Sequence, residues 1–221
     1  MTTLDPASTA VLVIDMQNDN LHPDGAFAAT GAAQHAREQN VVANVRAVLD
    51  AARAAGAAVF HNRIVVHPGR DVGGSNAPIF TMLGPESLKL DSWGAAIIDG
   101  LDPREDEIVL DRTRMSAFNG SGLDSMLRNL AITDVIVVGV WTNMAVEHTA
   151  RDAADHGYRV SVLSDATSSI NADWQHAALS YALTNIATIT DTVAFTAAFT
   201  TRVIPPSGRG HGQLVVCSES P

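Results

Sequence analysis

The sequence predicts an α/β fold, in which strands and helices alternate around a parallel sheet. Short, near-continuous apolar runs such as residues 10–16 (AVLVIDM) are typical of strands buried on both faces of such a sheet. Segments with apolar residues at three- and four-residue spacing, such as residues 35–55, are typical of amphipathic helices. Because the two kinds of segment alternate along the chain, they indicate βαβ units with right-handed crossovers.

Each element follows from these patterns in turn. The strand at 10–16 comes first, and the helix at 35–55 ends at Gly56, a residue type that commonly terminates helices. Residues 67–85 are rich in Gly and Pro and too long for an ordinary connection, which favours a binding loop or a lid. The remaining strands are predicted at 57–66, 107–112, 134–140, 158–166 and 186–190, and the remaining helices at 123–131, 144–156, 172–186 and 191–200.

Length and composition favour a single domain. The 221 residues suffice for one substantial core, predicted at residues 1–202, and the stretch at 203–221 is predicted to be an extended arm or a disordered tail. Hydrophobic residues make up 46% of the chain but never form the long apolar run of a membrane span, so no membrane partner is expected. The first residues lack the pattern of a secretion signal, and the cytoplasm is the expected compartment.

Charge and cysteine content argue against further classes. The formal net charge is −10 and no basic face is visible, which argues against nucleic acid as a partner. The only cysteine, Cys217, cannot form an internal disulfide, and no Cys pair or His-x-x-His spacing indicates a zinc site. His61 and His67 are interpreted as ordinary polar loop residues, so no metal or other cofactor is predicted.

Polar or turn residues follow three of the predicted strands. Asp15, Arg112 and the turn at 141–145 all come at carboxyl ends of strands. Ligands of parallel sheets bind at those ends, so the three segments predict one site at one rim of the sheet.

Three ordered motifs resemble those of the isochorismatase-like hydrolases, a cysteine hydrolase family. They are VLVIDMQNDN, DRTRMSAFNGSGLD and GVWTNMAVEHTARDAADHGYRVSVLSDATSS, and the resemblance runs from about residue 9 to residue 200. It implies a Rossmann-like three-layer α/β/α sandwich with a six-stranded parallel sheet, assembled as homodimers or homotetramers. It also implies hydrolysis of amides, carbamoyl compounds or ureido compounds by an Asp, Lys, Cys triad.

Carried over residue by residue, the resemblance places the family Asp at Asp15, the family Lys at Arg112 and the family Cys at Ala145. It further implies a cis peptide between Val140 and Trp141, and an oxyanion hole formed by the Trp141 and Ala145 amides. The frame around Ala145 keeps the family pattern. Its residues are Gly139, Val140, Thr142, Asn143, Val146, Glu147, Thr149, Arg151 and Asp152.

The two departures from the family change the expected chemistry. A methyl group at Ala145 cannot attack a carbonyl carbon, so the covalent thiolate route is lost. Arg112 stays protonated and is suited to holding a substrate carboxylate, although a drift from Lys in a chain with 13 Arg and one Lys explains it equally. Asp15, desolvated at a strand end, would act as general acid, as the resemblance implies for true isochorismatases, which lack the cysteine and cleave a vinyl ether.

Several side chains near the motifs are candidates for the pocket. The predicted substrate-binding residues are Gln17, Phe118, Trp141 and Met144. Packing in the core is the alternative for the last three, and Trp174 is interpreted in the same two ways. His148 is expected on a helix face, and DATSS at 165–169 is expected to cap the helix that begins near Asn171 or Asp173.

Two classes of function remain open at this point. The first is a hydrolase that acts without cysteine on a small, anionic metabolite with an amide, ureide, ester or vinyl-ether bond, with Asp15 as acid/base. The second is a non-catalytic homologue that binds a small metabolite. An engineered Cys-to-Ala form of an amidohydrolase would explain Ala145 but not Arg112. Turnover of a substrate separates these interpretations.

Overall fold

The computed structural model describes residues 4–69 and 72–200, so the predicted tail at 203–221 and Cys217 lie outside the described residues. One six-stranded parallel sheet has the strand order β3-β2-β1-β4-β5-β6, which confirms the predicted fold class. The strands are β1 (Thr9–Ile14), β2 (Ala58–Ile64), β3 (Ile108–Arg112), β4 (Asp134–Val140), β5 (Arg159–Ser168) and β6 (Thr188–Thr190). The α-helices are α1 (Asn18–Leu21), α2 (Ala32–Glu38), α3 (Val41–Ala55), α4 (Pro78–Met82), α5 (Leu123–Asn129), α6 (Glu147–Asp155), α7 (Ala172–Ala177) and α8 (Thr192–Thr200). None of these helices combines the length and the hydropathy that a membrane crossing needs.

The central strand β1 shows how the sheet is buried on both sides. Every residue of β1 is buried. Because successive side chains of a strand point to opposite faces, Leu12 and Ile14 join one core cluster whereas Val11 and Val13 join the other. Helices α5 and α6 contribute buried residues to the first cluster, and α3 and α8 contribute them to the second. The chain is therefore a three-layer α/β/α sandwich.

Helix α3 supplies most of the packing on its face of the sheet. Its buried residues recur at three- and four-residue spacing, as the sequence pattern predicts. They are Val41, Val45, Val48, Leu49 and Ala52. Each large aliphatic side chain buried in this way stabilises the fold by roughly 1.5–3 kcal/mol.

The prediction of a single helix at 35–55 is wrong. Helix α2 ends at Glu38, and Asn40 has a left-handed backbone with φ of 56° before α3 begins. Asn tolerates this conformation better than most residues, so the chain turns there and two helices form instead of one.

The boundaries around β5 also differ from the prediction. This strand continues to Ser168, so residues 165–168 of DATSS lie within the strand, where Thr167 and Ser168 pair with β4, rather than capping α7. The cap of α7 is Asn171, whose side chain accepts a 3.0 Å hydrogen bond from the Trp174 amide. The helix predicted at 172–186 is α-helical only to Ala177, after which a short π-helix spans Ala178–Ala182.

Gly139 allows β4 to end against β1. Its φ is 115°, and a Cβ atom at this position would lie 2.0 Å from the Ile14 carbonyl oxygen. Both facts require glycine, because a side chain would be strained by the backbone angle and would clash with β1. The pairing with β5 shifts register between Val137 and Gly139. Close packing of Gly139 against Ile14 thus fixes the start of the turn at 141–146 beside the end of β1.

Candidate active site

The carboxyl ends of β1 and β3 bring Asp15 and Arg112 together. Asp15 follows the last residue of β1, and Arg112 is the last residue of β3. The Arg112 guanidinium donates to both carboxylate oxygens of Asp15, with Nη1 to Oδ1 at 2.7 Å and Nη2 to Oδ2 at 2.9 Å. The residues are 97 positions apart in the chain, and only the parallel sheet makes them neighbours.

The remaining donors of Arg112 point to the backbone. Nε and Nη2 both donate to the Met115 carbonyl oxygen, at 3.2 and 2.7 Å. Together with the bonds to Asp15, these contacts use four of the five N–H groups that a guanidinium carries. Arg112 is 3% exposed and does not line the cavity described below. The expectation that Arg112 grips an anionic substrate is therefore not supported, because its fork is already occupied by Asp15.

Asp15 has an unusual backbone conformation, and its side chain is buried and hydrogen-bonded. Its φ is 50°, in the left-handed region, and its Oδ1 also accepts a 2.9 Å bond from the Ile64 amide. Burial raises the pKa of Asp15 above its ordinary value, and the charge and hydrogen bonds of Arg112 and the Ile64 amide oppose that rise without cancelling it. The result is a carboxylate that is more basic than an exposed aspartate and held in one orientation.

Asp15 lines a partly open cavity, whose empty space, including solvent at its mouth, is about 340 Å³. The walls are almost entirely apolar, and the polar side chains among the described lining residues are Asp15, Asn20 and the indole of Trp141. The lining residues are Asp15, Asn20, Phe27, Ile64, Ile79, Met82, Leu83, Leu88, Met115, Val140, Trp141, Met144 and Ala145. Three predicted site residues, Trp141, Met144 and Ala145, thus meet Asp15 in one cavity.

The turn at 141–146 is fixed by many contacts. The peptide bond between Val140 and Trp141 is cis. The Trp141 carbonyl oxygen accepts hydrogen bonds from the Met144 and Val146 amides, at 2.9 and 3.3 Å. Thr142 donates to the Gln175 side chain at 2.5 Å, and Asn143 accepts a hydrogen bond from Ser169. Ala145 is 2% exposed, with its methyl group between the cavity and the core.

In the segment after β1, the side chains of Gln17 and Asp19 bind the backbone of neighbouring loops. Gln17, 0% exposed, donates to the Ile64 and Ala95 carbonyl oxygens and accepts from the Ile64 amide. Asp19 accepts hydrogen bonds from the Ala26 and Leu88 amides. Gln17 does not line the cavity. The structure thus places Gln17 as a support of loop backbone, and the predicted contact with substrate is not seen.

Phe118, the other predicted substrate-binding residue outside the cavity, belongs to the core. It is 9% exposed and stacks on His156, with ring centroids 5.1 Å apart. Trp174 is 44% exposed and lines neither the core nor the cavity. His148 is exposed on α6, where its ring is 2.8 Å from the Met144 carbonyl oxygen.

His61 differs from its interpretation as a loop residue. It lies within β2, is 1% exposed, and its Nε2 is 2.9 Å from Glu107. Burial lowers the pKa of His61, and the hydrogen bond to Glu107 only partly offsets this. His67 follows β2 and lines other surface depressions. Among residues 4–69 and 72–200, no three His, Cys, Asp or Glu side chains are grouped as a metal site would require.

Sequence reasoning missed most of the cavity wall. Asn20 comes from α1 and Phe27 from the turn after it, and Ile79, Met82 and Leu83 come from α4 and its flank. Asn20 is the last residue of the first motif, whereas the other four belong to no motif, and their apolar side chains look like those of any loop or short helix. The one available signal was the length of the 67–85 excursion, which indicated a binding loop, and its α4 region does line the cavity.

Comparison with known proteins identifies the family. The Isochorismatase domain model matches residues 9–194. Ureidoacrylate amidohydrolase RutB of Rhizobium rhizogenes is 34% identical over 196 residues, covering 81% of this chain and 78% of that protein. A solved cysteine hydrolase from Pseudomonas syringae pv. phaseolicola has a TM-score of 0.80 at 26% identity, covering 90% of this chain and 96% of that one. N-carbamoylsarcosine amidase from Thermoplasma acidophilum has a TM-score of 0.67 at 26% identity, covering 84% and 96%. This chain therefore belongs to the isochorismatase family of hydrolases.

Proposed function

We propose that this protein hydrolyses a small amide or ureide by direct attack of water, with Asp15 as the acid/base group. The observation that carries the proposal is that Asp15, oriented by Arg112, lines the same cavity as Ala145 and Trp141. The relatives add the type of bond, because they are named as an amidohydrolase and an amidase. No covalent intermediate forms, because Ala145 offers no nucleophile.

The reaction begins with a water molecule between Asp15 and the substrate carbonyl carbon. The Asp15 carboxylate accepts a proton from this water as its oxygen bonds to the carbon, and the Trp141 and Ala145 amides donate to the oxygen that becomes negative. Asp15 then returns the proton to the leaving nitrogen as the carbon–nitrogen bond breaks. The products are an acid and an amine or ammonia, and Asp15 ends as it began.

Arg112 is a positioning residue in this scheme. It holds both carboxylate oxygens in place, and its charge limits the rise in the pKa of Asp15 that burial causes. A carboxylate whose pKa is raised above the ordinary value is a stronger base towards water than an exposed aspartate. The paired charges also keep the carboxylate from being an isolated charge in an apolar wall.

The test is hydrolysis of a panel of amides and ureides, with esters and an enol ether included. We expect the wild type to release product from an amide or ureide, and the Asp15→Asn variant to lose at least about 100-fold in rate, as expected for removal of a general base. Asp111→Asn, which alters an exposed carboxylate of β3 paired with Arg63, is the matched control and should keep full activity.

Two results would redirect the assignment. Cleavage of the enol ether alone would mean that Asp15 acts as an acid towards carbon instead. No turnover of any compound by the wild type would favour a binding protein, for which the replacement of the family nucleophile by Ala145 is the supporting observation.

A further inference from the structure

The cavity chemistry bears on which amides the site accepts. Among the described residues that line the cavity, none is Arg, Lys or His. Arg112, the cation paired with the cavity residue Asp15, directs its donors at Asp15 and the Met115 carbonyl oxygen. An anionic substrate would therefore lose its hydration, face the Asp15 carboxylate and find no free cation to compensate.

Among the described residues that line this cavity, Asn20 is the one neutral side chain with an unused hydrogen-bond acceptor. It is 6% exposed, and its Nδ2 donates to the Asp15 carbonyl oxygen at 2.9 Å. That bond fixes the orientation of the side-chain amide, since only the NH2 end can donate to a carbonyl. The other end, Oδ1, has no hydrogen-bond donor within the part of the chain that the structure describes. An acceptor in an apolar wall selects a ligand that carries an N–H group.

We propose that the site selects small, uncharged carboxamides with an apolar acyl group, and that Asn20 is the residue that recognises the substrate N–H. The apolar group lies against side chains such as Phe27, Met115 and Met144, and the amide N–H donates to Asn20 Oδ1. Carboxylated substrates are excluded. This inference rests on the proposed function for its reactive bond, but it concerns recognition and is measured as binding.

The experiment compares three ligands of one shape, which are benzamide, acetophenone and benzoate. Acetophenone replaces the NH2 group of benzamide by a methyl group, and benzoate replaces it by a charged oxygen. Dissociation constants are measured by NMR titration of the wild type and of Asn20→Leu, and a smaller set (isobutyramide, 3-methylbutan-2-one and isobutyrate) is measured in parallel. Release of ammonia is followed in the same samples.

For the wild type we expect the amide to bind about 3- to 10-fold more tightly than the ketone, as one added hydrogen bond predicts. We expect the carboxylate to bind at least about 100-fold more weakly than the amide, as an unpaired charge in an apolar wall predicts. In Asn20→Leu the amide and ketone should bind equally. Ketone binding by this variant reports that the cavity is intact, so a misfolded variant is recognised.

Each other result is decisive. The inference is overturned if the carboxylate binds as tightly as the amide, if the preference for amide over ketone survives in Asn20→Leu, or if neither amide binds to the wild type. Amide binding with the expected preferences, but without ammonia release here and without turnover of any compound in the panel above, would overturn the proposed hydrolysis while leaving the recognition by Asn20 standing.

Discussion

Arg112 and Asp15 form a buried bidentate ion pair, with both carboxylate oxygens within 2.9 Å of a guanidinium nitrogen. The two side chains are 1% and 6% exposed. A lysine at the same position would present one ammonium group, which does not fix the orientation of the carboxylate. The planar guanidinium binds both oxygens and does fix it. Arg112, which the sequence suggested would bind a substrate anion, instead binds and orients the Asp15 carboxylate.

The stability of the protein should depend strongly on this pair. Arg112→Met leaves the Asp15 charge buried without its partner, and we expect a loss of roughly 3–5 kcal/mol in the free energy of unfolding. Arg63→Met, which breaks the more exposed pair with Asp111, should cost no more than about 1 kcal/mol. Urea denaturation at neutral pH measures both, and equal losses would show that Asp15 does not need Arg112.

Thiol chemistry should have no part in the activity of the wild type. Ala145 stands at the family's cysteine, and the only thiol in the chain is Cys217. We expect iodoacetamide to leave the wild-type rate unchanged, and Ala145→Cys to bring no rate above it. If the wild type proves inactive and Ala145→Cys hydrolyses amides, with a further gain from Arg112→Lys, the direct attack of water is refuted and the chain is a hydrolase that has lost its nucleophile.

Glu107 should make the protein sensitive to acid. Burial opposes its ionisation, but hydrogen bonds from Arg53, the Arg104 amide and His61 outweigh this and lower the pKa of Glu107 to about 2. Because the folded-state pKa lies below the ordinary 4.5, the ionised group stabilises the fold above pH 4.5, and this contribution is lost as the pH falls from about 4.5 to about 2.

Glu107→Gln should therefore flatten the fall in unfolding free energy over that range. Glu105→Gln, an exposed neighbour, serves as the control and should keep the wild-type slope. Denaturation measured at several pH values between about 2 and 5 checks this. An unchanged slope in Glu107→Gln would mean that other carboxylates cause the acid sensitivity.

Gly139 should tolerate no side chain. An added Cβ would lie 2.0 Å from the Ile14 carbonyl oxygen at a φ of 115°. We expect Gly139→Ala to prevent folding or to cost several times as much as Gly157→Ala. Gly157 has a φ of 92° with nothing within 4 Å of the added atom, so its substitution measures the backbone effect alone, about 1 kcal/mol. Soluble yield and thermal unfolding compare the two, and similar losses would show that β1 moves to make room.

The sequence by itself determined the alternation of strands and helices, the parallel sheet, and the rim at which Asp15, Arg112 and the 141–145 turn meet. These features follow from local periodicity and from the rule that parallel strands share a carboxyl edge. It did not predict the break at Asn40, because apolar spacing continues across residues 35–55 while a single left-handed residue ends one helix and lets the next begin.

Only the tertiary structure decided what the site residues touch. Arg112 could have faced a substrate or another residue, and its donors reach Asp15 because β3 and β1 lie on the two sides of β2. Gln17 and Asn20 are three residues apart, yet one is turned to the backbone of Ile64 and Ala95 and the other to the cavity. Partner choice of this kind depends on contacts between segments far apart in the chain, and local patterns carry no information about it.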